Sequence, residues 1–505
     1  MRLAALLAAA GLDGQSSVSW SGGGTEDPEI VRVSHDSRRV ASGDLFCCVA
    51  GGTHDGHRFA VDAEAAGAVG LLVERPVFDA SVPVIRVPSV RQAMGPLAAT
   101  LHGWPSRSLD LVGVTGTNGK TSVVHLLQSI LQASGRRAES WGTLSGERTT
   151  PEGTDLQATI AGWVAAGVDA AALEVSSHAL AQHRVDGTTF AAVAFTTLGR
   201  DHLDFHDSIE GYEAAKERLF DGTFADHAVI SLADPSGRRM SRTAEMAGMS
   251  VVVVDPESVD STVSATGCVV AWRGRNLEVT TGGRFTVANA LVAAELALVL
   301  GCGEEDVVAG LAAAAPVPGR FQPVPLAGGP TVVVDYAHTP DALEAVLVAA
   351  RDVMETSIGG NHRPSDRGSG QLVVVFGCGG ERDNGKRSLM GQVADGLADL
   401  VVVTSDNPRG ESPEGVIADI LTGMERPDPV VEPDRRRGIA AALAIATPDD
   451  LVLVAGRGHE TFQEVEGRFV PFDDRTVVVE EWERLCSSTP GTEEPAEGSN
   501  GGSTR

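Results

Sequence analysis

The chain has 505 residues, of which 42% are hydrophobic, and its formal net charge is −28 at pH 7. At about 150 residues per domain, this length predicts roughly three domains rather than a single core. The strong negative charge argues against a nucleic-acid partner, because binding a phosphate backbone needs a basic surface.

The apolar runs and the cysteines indicate a cytoplasmic protein that does not insert into a membrane. No apolar run approaches the ~18 residues that a membrane span needs. The opening apolar run is short and ends in Gly11-Leu-Asp-Gly14 without a clear cleavage site, so we expect a first helix rather than a signal sequence. The six cysteines form no CxxC pair, which fits a reducing compartment and argues against a structural zinc site.

Three blocks separate by pattern, at residues 1–106, 107–327 and 328–486, and a polar tail follows at 487–505, which we expect to be disordered. Strand-like runs alternate with helical runs in the second and third blocks, which predicts α/β domains with parallel sheets. Within the third block, residues 359–370 are polar and Gly-rich, which indicates an insertion of unassigned role. The strand candidates are Leu109–Val114, Ala170–Val175, Ala191–Thr197, Ala228–Leu232, Thr331–Asp335, Leu372–Phe376, Leu400–Thr404 and Leu451–Ala455.

The most specific motif is the Gly-rich stretch Gly113–Ser122, which lies between a strand candidate and the helical run Val123–Leu131. Backbone N–H groups in such a turn converge on an anion, and the helix dipole adds positive potential. Lys120 can reach the β- and γ-phosphates of a nucleotide, and the Thr121 hydroxyl can ligate Mg²⁺. The strict GxxxxGK[ST] motif fails at Val114, yet the strand–GTNGKTS–helix order predicts nucleotide binding. The expected nucleotide contacts are Gly116, Thr117, Asn118, Gly119, Lys120, Thr121 and Ser122.

Polar residues follow the strand candidates that come after this loop. Glu174 lies at the end of one strand candidate, and His202 follows the next one along the chain. A carboxylate and an imidazole at neighbouring strand ends could bind Mg²⁺ beside the nucleotide phosphates. Lys216 lies in a helical stretch, and from residue chemistry alone we expect it on a solvated face.

Together these motifs resemble the Mur ligase family, the ATP-dependent amide-forming enzymes of bacterial cell-wall precursor synthesis, over about residues 30–480. The resemblance implies a UDP-substrate-binding N-terminal domain, a central P-loop ATPase-like parallel sheet and a Rossmann-like C-terminal domain. The motifs that carry it are Asp36–Arg38, Gly43–Phe46, Asp55–His57, Thr149–Glu152, Glu174–His178, Gln182–Arg184, Asp201–Asp204, Tyr212–Lys216, Asp335–Pro340, Gly377–Gly380, Asp406–Arg409 and Gly456–Glu460.

The resemblance also implies roles for individual residues, including a CO₂-derived carbamate on Lys216 that helps to hold Mg²⁺. The implied catalytic residues are Lys120, Glu174, His202, Lys216 and His338. The implied metal ligands are Thr121, Glu174, His202 and the carbamylated Lys216. Further ATP contacts are implied for Asn289, Arg320 and Asp335. The UDP-linked substrate would contact Ser37, Thr149, Thr150, Ser176, Gln182 and Arg184. The incoming amino acid would contact Arg382, Asp406, Asn407, Pro408, Arg409, Gly456 and Glu460.

The amino-acid pocket carries both signs of charge. Arg409 offers a planar fork for a carboxylate, whereas Asp406 and Glu460 can receive an ammonium. This pairing fits diaminopimelate, and lysine would leave Arg409 unpaired at a cost of roughly 1–3 kcal/mol. The resemblance therefore implies a monomeric ligase that adds diaminopimelate, most commonly the meso form in this family, to UDP-N-acetylmuramoyl-L-alanyl-D-glutamate through an acyl phosphate.

Several alternatives stay open at this point. The added residue could be LL-diaminopimelate or lysine, the scaffold could be that of a folate polyglutamate ligase, or the chain could be a non-catalytic nucleotide-binding paralogue. The segment Asp406–Arg409 could also be an ordinary turn with a solvated arginine. Departures from the family pattern at Gly199, Glu381 and Asn384 leave room for altered activity.

Overall fold

A computed structural model describes residues 1–12, 17–20, 27–52, 54–77, 80–146, 148–357, 370–381, 383–426 and 428–488. The chain divides into two compact units, Met1–Arg320 and Phe321–Arg505. This division lies near the boundary predicted after residue 327, while the boundary predicted after residue 106 falls inside the first unit and stays a prediction. Residues 359–369 of the predicted insertion and 489–505 of the expected tail lie outside the described residues.

An N-terminal sheet begins unit 1. Its strands are β1 Ser17–Trp20, β2 Arg32–Ser34, β3 Asp44–Cys47, β4 Ala68–Val73 and β5 Pro83–Arg86. They lie in the order β1-β5-β4-β3-β2, with β1 antiparallel to β5 and the other pairs parallel. The accompanying helices are α1 Leu3–Ala9, α2 Ala60–Ala65 and α3 Val90–Leu101. Helix α1 confirms the expected first helix, and its buried Leu3, Leu6 and Leu7 follow the i, i+3, i+4 spacing of one helix face.

A six-stranded sheet forms the centre of unit 1. Its strands are β6 Asp110–Thr115, β7 Ala138–Trp141, β8 Ala170–Glu174, β9 Ala192–Phe195, β10 His227–Ser231 and β11 Ser250–Val254. All are parallel, in the order β11-β10-β9-β6-β8-β7, which confirms the predicted parallel α/β sheet. Its helices are α4 Lys120–Ala133, α5 Gly153–Ala165, α6 Ser177–Ala181, α7 Leu203–His206, α8 Ile209–Glu217 and α9 Ser236–Met246. Val112 packs in the apolar cluster of α4, whereas Leu111 packs in that of α5, so both faces of the sheet are covered.

A small antiparallel sheet completes unit 1, and the sequence patterns did not predict it. Its strands are β12 Ser261–Val263, β13 Cys268–Trp272 and β14 Arg275–Val279, and the helices α10 Phe285–Val299 and α11 Glu304–Ala313 follow. Val270 and Leu277 join the same apolar cluster as α4 and α10. The small sheet therefore packs in the same hydrophobic core as α4, the helix that begins at Lys120.

Unit 2 is a second α/β domain, built on a six-stranded sheet. Its strands are β15 Gln322–Val324, β16 Thr331–Asp335, β17 Leu372–Phe376, β18 Leu400–Val403, β19 Val430–Val431 and β20 Leu451–Ala455. They lie in the order β15-β16-β20-β17-β18-β19, with only β15 antiparallel. The helices are α12 Pro340–Ser357, α13 Gly385–Leu397, α14 Pro413–Leu421, α15 Arg435–Ile445 and α16 Asp474–Ser488, and a hairpin is formed by β21 Phe462–Val465 and β22 Arg468–Pro471. Helix α16 ends at Ser488, two residues into the predicted tail.

The carboxyl ends of the parallel strands collect the polar motifs, as expected for open α/β sheets. In unit 1, Thr115 and Glu174 end the adjacent strands β6 and β8. In unit 2, Asp335 ends β16, and the loops that begin at Thr404 and Gly456 follow β18 and β20. Within the described part of the chain, no helix combines the length and the apolar character that crossing a membrane requires.

Candidate active site

The Gly-rich loop of unit 1 joins β6 to α4. At two of its positions, only glycine fits. Gly116 has φ +149° and Gly119 has φ +87°. A Cβ atom on Gly116 would lie 1.9 Å from Oγ1 of Thr196, and one on Gly119 would lie 2.4 Å from Oδ1 of Asn289. The loop therefore packs tightly against its neighbours, and the predicted ATP contact Asn289 lies directly beside it.

We expect Gly116→Ala to weaken nucleotide binding by at least about tenfold, because the added methyl group would force the loop away from Thr196. Calorimetric titration with ADP measures this effect. Gly135→Ala is the matched control, because Gly135 has φ +82° but open space around its Cβ position. Equal ADP affinity in the Gly116→Ala variant and the wild type would contradict the assignment of this loop to nucleotide phosphates.

Two lysines converge on this loop. Nζ of Lys120 donates to the carbonyl oxygens of Gly116 at 2.8 Å and Thr117 at 2.9 Å, and Nζ of Lys216 donates to the same Gly116 oxygen at 2.9 Å. The side chain of Lys216 is 1% exposed, so the expectation of a solvated face is wrong. The reason is that α8 turns the face shared by Tyr212 and Lys216 inward, where Nζ lies 4.4 Å from the Tyr212 ring centroid.

The electrostatic environment of both lysines disfavours their charged forms. Burial, together with repulsion from Lys120, holds the pKa of Lys216 well below its usual value. Burial also lowers the pKa of Lys120, against the attraction of Glu174. An anionic ligand at the loop would therefore favour the charged form of Lys120.

Glu174 is fixed at the end of β8. Its Oε1 accepts a hydrogen bond from the Thr143 amide at 2.9 Å, its Oε2 accepts one from the Thr143 hydroxyl at 3.1 Å, and its side chain is buried. Glu174 is also paired in register with Val114 of β6, directly before the loop. Glu174 thus lies at a strand end, as predicted, beside the strand that leads into the phosphate loop.

His202 lies in the segment that follows β9, the strand on the other side of β6 from β8. The strands β8 and β9 flank β6 rather than neighbouring each other, so the expectation of neighbouring strand ends is wrong in this detail. His202 has φ 55°, and its ring centroid lies 4.6 Å from that of His178. The strands that lead to the two predicted metal ligands thus flank β6, while the His202 ring packs on a residue that follows Glu174 in the chain.

The predicted Mg²⁺ ligands do not form a closed cage. Among the residues that the structure describes, no group of three or more His, Cys, Asp or Glu side chains is placed to hold a metal ion. Oγ1 of Thr121 accepts a hydrogen bond from Nη2 of Arg320 at 3.3 Å, so the predicted ATP contact Arg320 also reaches the loop.

The residues expected to hold the UDP-linked substrate lie next to Glu174. The Thr150 hydroxyl donates to the Glu174 carbonyl at 2.8 Å and accepts from the Ser176 amide at 3.0 Å. Arg184 donates to the Thr150 carbonyl at 3.1 Å and to Oε1 of Gln182 at 2.8 Å. The structure thus brings together Thr150, Ser176, Gln182 and Arg184.

Thr149 is linked to this cluster through Thr143, and Ser37 lies two residues after His35, which contacts α5. The Thr149 hydroxyl lies 3.2 Å from that of Thr143, which in turn binds Glu174. Ser37 begins a short 3₁₀ turn after β2, and Nδ1 of His35 lies 2.7 Å from Oγ1 of Thr154 in α5. This contact joins the N-terminal sheet to the segment that carries Thr149 and Thr150.

Sequence reasoning missed the charge network of Glu152. This buried carboxylate pairs with Arg184 at 3.1 Å and with Arg91 at 3.3 Å, and it also pairs with Arg148. Glu152 lies outside the helices and its three partners come from separate segments, so no local spacing in the sequence indicated these pairs. Through these pairs, Glu152 fixes Arg184 and gathers positive charge beside the predicted substrate residues.

In unit 2, the predicted nucleotide contacts Asp335 and His338 organise the backbone after β16. Asp335 accepts hydrogen bonds from the amides of Phe321 at 2.6 Å and Ala337 at 2.8 Å. Nζ of Lys386 donates to the carbonyl of His338 at 2.9 Å, and Nδ1 of His338 lies 2.8 Å from the Tyr336 carbonyl oxygen. Their roles toward ATP stay predictions.

The predicted amino-acid pocket comes together at the ends of β18 and β20. Nδ2 of Asn407 donates to Oε2 of Glu460 at 2.8 Å. Gly456 packs so closely that a Cβ atom there would lie 2.4 Å from Oδ2 of Asp406. That Oδ2 atom is buried and has no hydrogen-bond partner among the described residues. Burial and the nearby Asp406 raise the pKa of Glu460, so an ammonium between these two carboxylates would relieve their repulsion.

Arg409 has partners within the chain. Its Nε donates to Oε2 of Glu464 at 3.1 Å and its Nη1 donates to the Gly380 carbonyl at 2.7 Å. The expectation that lysine would leave Arg409 unpaired is therefore wrong, and the free-energy penalty based on it does not apply. The predicted contact Arg382 lies outside the described residues.

The comparisons with known proteins cover most of the chain. Residues 29–102 match the Mur ligase family, catalytic domain; residues 114–297 match the Mur ligase middle domain; and residues 319–458 match the Mur ligase, glutamate ligase domain. A UDP-N-acetylmuramoyl-L-alanyl-D-glutamate–2,6-diaminopimelate ligase of Alkalilimnicola ehrlichii is 40% identical over 90% of this chain and 95% of that protein. The protein of the same designation from Xylella fastidiosa strain 9a5c is 42% identical over 89% of this chain and 93% of that protein.

Solved structures agree with these relatives. A structure of a UDP-N-acetylmuramoyl-L-alanyl-D-glutamate–2,6-diaminopimelate ligase superposes with a TM-score of 0.63 at 31% identity, over 90% of this chain and 95% of that one. The MurF ligase of Thermotoga maritima in complex with ADP has a TM-score of 0.58 at 18% identity, over 90% of this chain and 98% of that one, and shows a shared fold alone. With matches of this extent over most of its length, the chain belongs to the Mur ligase family.

Proposed function

We propose that this chain is an ATP-dependent ligase that adds diaminopimelate to UDP-N-acetylmuramoyl-L-alanyl-D-glutamate in cell-wall precursor synthesis. The observation that carries the proposal is the convergence of Lys120 and Lys216 on the Gly116 carbonyl, in a chain 40% identical to ligases of that designation. We further propose that the amino acid is the meso isomer, and that the protein acts as a cytoplasmic monomer without membrane insertion.

ATP would bind at the Gly-rich loop. The loop amides and the start of α4 offer backbone N–H groups to the phosphates, and Lys120 adds a positive charge. Asn289 lies against Gly119, and Arg320 donates a hydrogen bond to Thr121. Both side chains would therefore contact the nucleotide beside the loop. The Lys120 ammonium would exchange its hydrogen bonds to the two loop carbonyls for contacts with the phosphates.

The first step would be transfer of the γ-phosphoryl group. A carboxylate oxygen of the D-glutamate moiety attacks the γ-phosphorus, the bond between this phosphorus and the ADP oxygen breaks, and an acyl phosphate forms. Bringing two anions together is the main obstacle, so positioning and charge neutralisation supply most of the catalysis. Arg184 and the Thr150 cluster would orient the substrate beside Glu174 and the loop.

Mg²⁺ bound through Thr121, Glu174, His202 and a carbamylated Lys216 would supply neutralising charge at the phosphates and the acyl carboxylate. The residues present fit this group, because Glu174 and Thr121 offer hard oxygen ligands on either side of the loop. A carbamate on Lys216 would form when its neutral amine adds to CO₂ and loses a proton. This change would place a negative charge beside Lys120, at a position where burial and Lys120 disfavour a second positive charge.

The second step would form the amide. The amine of the incoming amino acid attacks the acyl carbon, and the tetrahedral intermediate collapses to the amide and inorganic phosphate. In unit 2, Asp406 and Glu460 would receive an ammonium of diaminopimelate. Nη2 of Arg409, which has no hydrogen-bond partner among the described residues, would bind the distal carboxylate.

The proposal is tested by measuring phosphate release from ATP in the presence of the UDP-linked dipeptide. The added amino acid is meso-diaminopimelate, LL-diaminopimelate or lysine in turn. We expect turnover with meso-diaminopimelate to exceed that with lysine by at least about tenfold in kcat/KM. A preference for lysine would contradict the assignment of the pocket. Binding of ATP without turnover on any amine would instead indicate a non-catalytic protein.

A further inference from the structure

The hairpin β21–β22 lies against the predicted amino-acid-binding loop, although its sequence suggested no function. Gln463 donates through Nε2 to the carbonyl of Asp406 at 2.5 Å and to Oγ of Ser405 at 3.1 Å. The backbone amide of Glu464 donates to Oδ1 of Asn407 at 2.9 Å. Strand β21 is therefore hydrogen-bonded to three consecutive residues of the loop that follows β18.

The backbone of Arg409 is held in an unusual conformation by the same strand. Its φ of 53° lies in the left-handed region, which is costly for a residue with a side chain and persists only where neighbours enforce it. The Arg409 amide donates to the Glu464 carbonyl at 3.1 Å, and the Arg409 carbonyl accepts from the Glu466 amide at 2.7 Å. The hairpin thus fixes Arg409 from both sides.

The side chain of Glu464 completes this support. Oε2 of Glu464 accepts from Nε of Arg409, while the Gly380 carbonyl accepts from Nη1 on the far side of the same guanidinium. The side chain of Arg409 is 21% exposed and that of Glu464 is 29% exposed, so water only partly screens this pair. The two acceptors together hold the plane of the guanidinium and leave Nη2 for a ligand.

We propose that Glu464 is a positioning residue that sets affinity for the distal carboxylate of the incoming amino acid by fixing the Arg409 guanidinium. This inference rests on the proposed function, because it names how that same pocket selects its substrate. Glu464 acts as a hydrogen-bond acceptor for Nε, and its negative charge is not required for this role. Without that acceptor, the arginine would sample other rotamers and lose affinity for the carboxylate.

The test compares Glu464→Ala and Glu464→Gln in the full chain, by steady-state kinetics with each substrate varied in turn. Glu464→Ala should raise the KM for diaminopimelate about tenfold, since one hydrogen bond to a charged group is lost, with kcat and the KM for ATP changed less than about threefold. Glu464→Gln keeps a side-chain acceptor, so its KM for diaminopimelate should stay within about threefold of the wild-type value.

Glu466→Ala is the matched control, because it removes an exposed carboxylate from the same hairpin and keeps the backbone contact to Arg409. An unchanged or lower KM for diaminopimelate in Glu464→Ala would overturn the positioning role, as would equal increases for the alanine and glutamine variants. A wild-type protein that turns over no diaminopimelate would overturn the proposed function itself, and the inference with it.

Discussion

Lys216→Ala is expected to lower kcat by about 10³-fold or more while the protein stays folded. The Lys216 Nζ atom lies 2.9 Å from the Gly116 carbonyl oxygen, so a carbamate built on it would reach the phosphate loop. Losing a group that stabilises charge in phosphoryl transfer typically has an effect of this size. Phosphate release under saturating substrates measures it.

Chemical rescue gives this experiment its specificity. If the functional group is a carboxylate, bicarbonate or a short carboxylic acid should partly restore turnover in the Lys216→Ala variant. Arg239→Ala is the control. It removes an exposed cation of α9 that pairs with Glu213 and Glu217 of α8, the helix that carries Lys216. Full activity of Lys216→Ala without any added acid would rule out the carbamate.

Asp474→Ala is expected to lower the free energy of unfolding by about 3–5 kcal/mol, the usual cost of leaving one buried charge without its partner. Both side chains of the Arg435–Asp474 pair are fully buried, and two hydrogen bonds of 2.8 and 2.7 Å join them. Arg435 also donates to the Ser405 carbonyl at 3.2 Å and to the Ala455 carbonyl at 3.0 Å. This pair therefore ties together the ends of β18 and β20, from which the predicted amino-acid pocket extends.

Urea unfolding followed by circular dichroism measures this loss. Glu480→Ala is the control, because Glu480 pairs with Arg436 on the surface of the same unit, where such pairs contribute about 1 kcal/mol or less. A loss below about 1 kcal/mol for Asp474→Ala would show that the buried pair is not a main support of unit 2. It would also show that the link from Arg435 to the ends of β18 and β20 contributes little to the stability of unit 2.

The phosphate loop was predictable because its signal is local. A strand, a Gly-rich turn and a helix N-terminus occupy consecutive residues, and the glycines that the sequence supplies are those that the close contacts with Thr196 and Asn289 require. The bounds of strands β16, β17 and β20 were also predicted in full, because each is an apolar run that ends in a polar or Gly-bearing loop. Fold class follows from such local patterns.

The burial of Lys216 was not predictable from residue chemistry. Which face of α8 points inward depends on how the helix packs beside the loop, and the sequence of a short helix does not specify that packing. The support of Arg409 by Glu464 was missed for the same reason, because 55 residues separate the two side chains in the chain. Both features came from tertiary contacts, and both changed the interpretation of a residue already singled out.

The most direct test of the account follows one oxygen atom. The UDP-linked dipeptide is prepared with both carboxylates of its D-glutamate moiety labelled with ¹⁸O and is incubated with ATP, Mg²⁺ and meso-diaminopimelate. Mass spectrometry should show one ¹⁸O atom in each released phosphate, together with the ligated product, because the acyl oxygen leaves with the phosphate. Unlabelled phosphate accompanying ligated product would contradict the acyl-phosphate route, and the absence of any ligated product would contradict the proposed function.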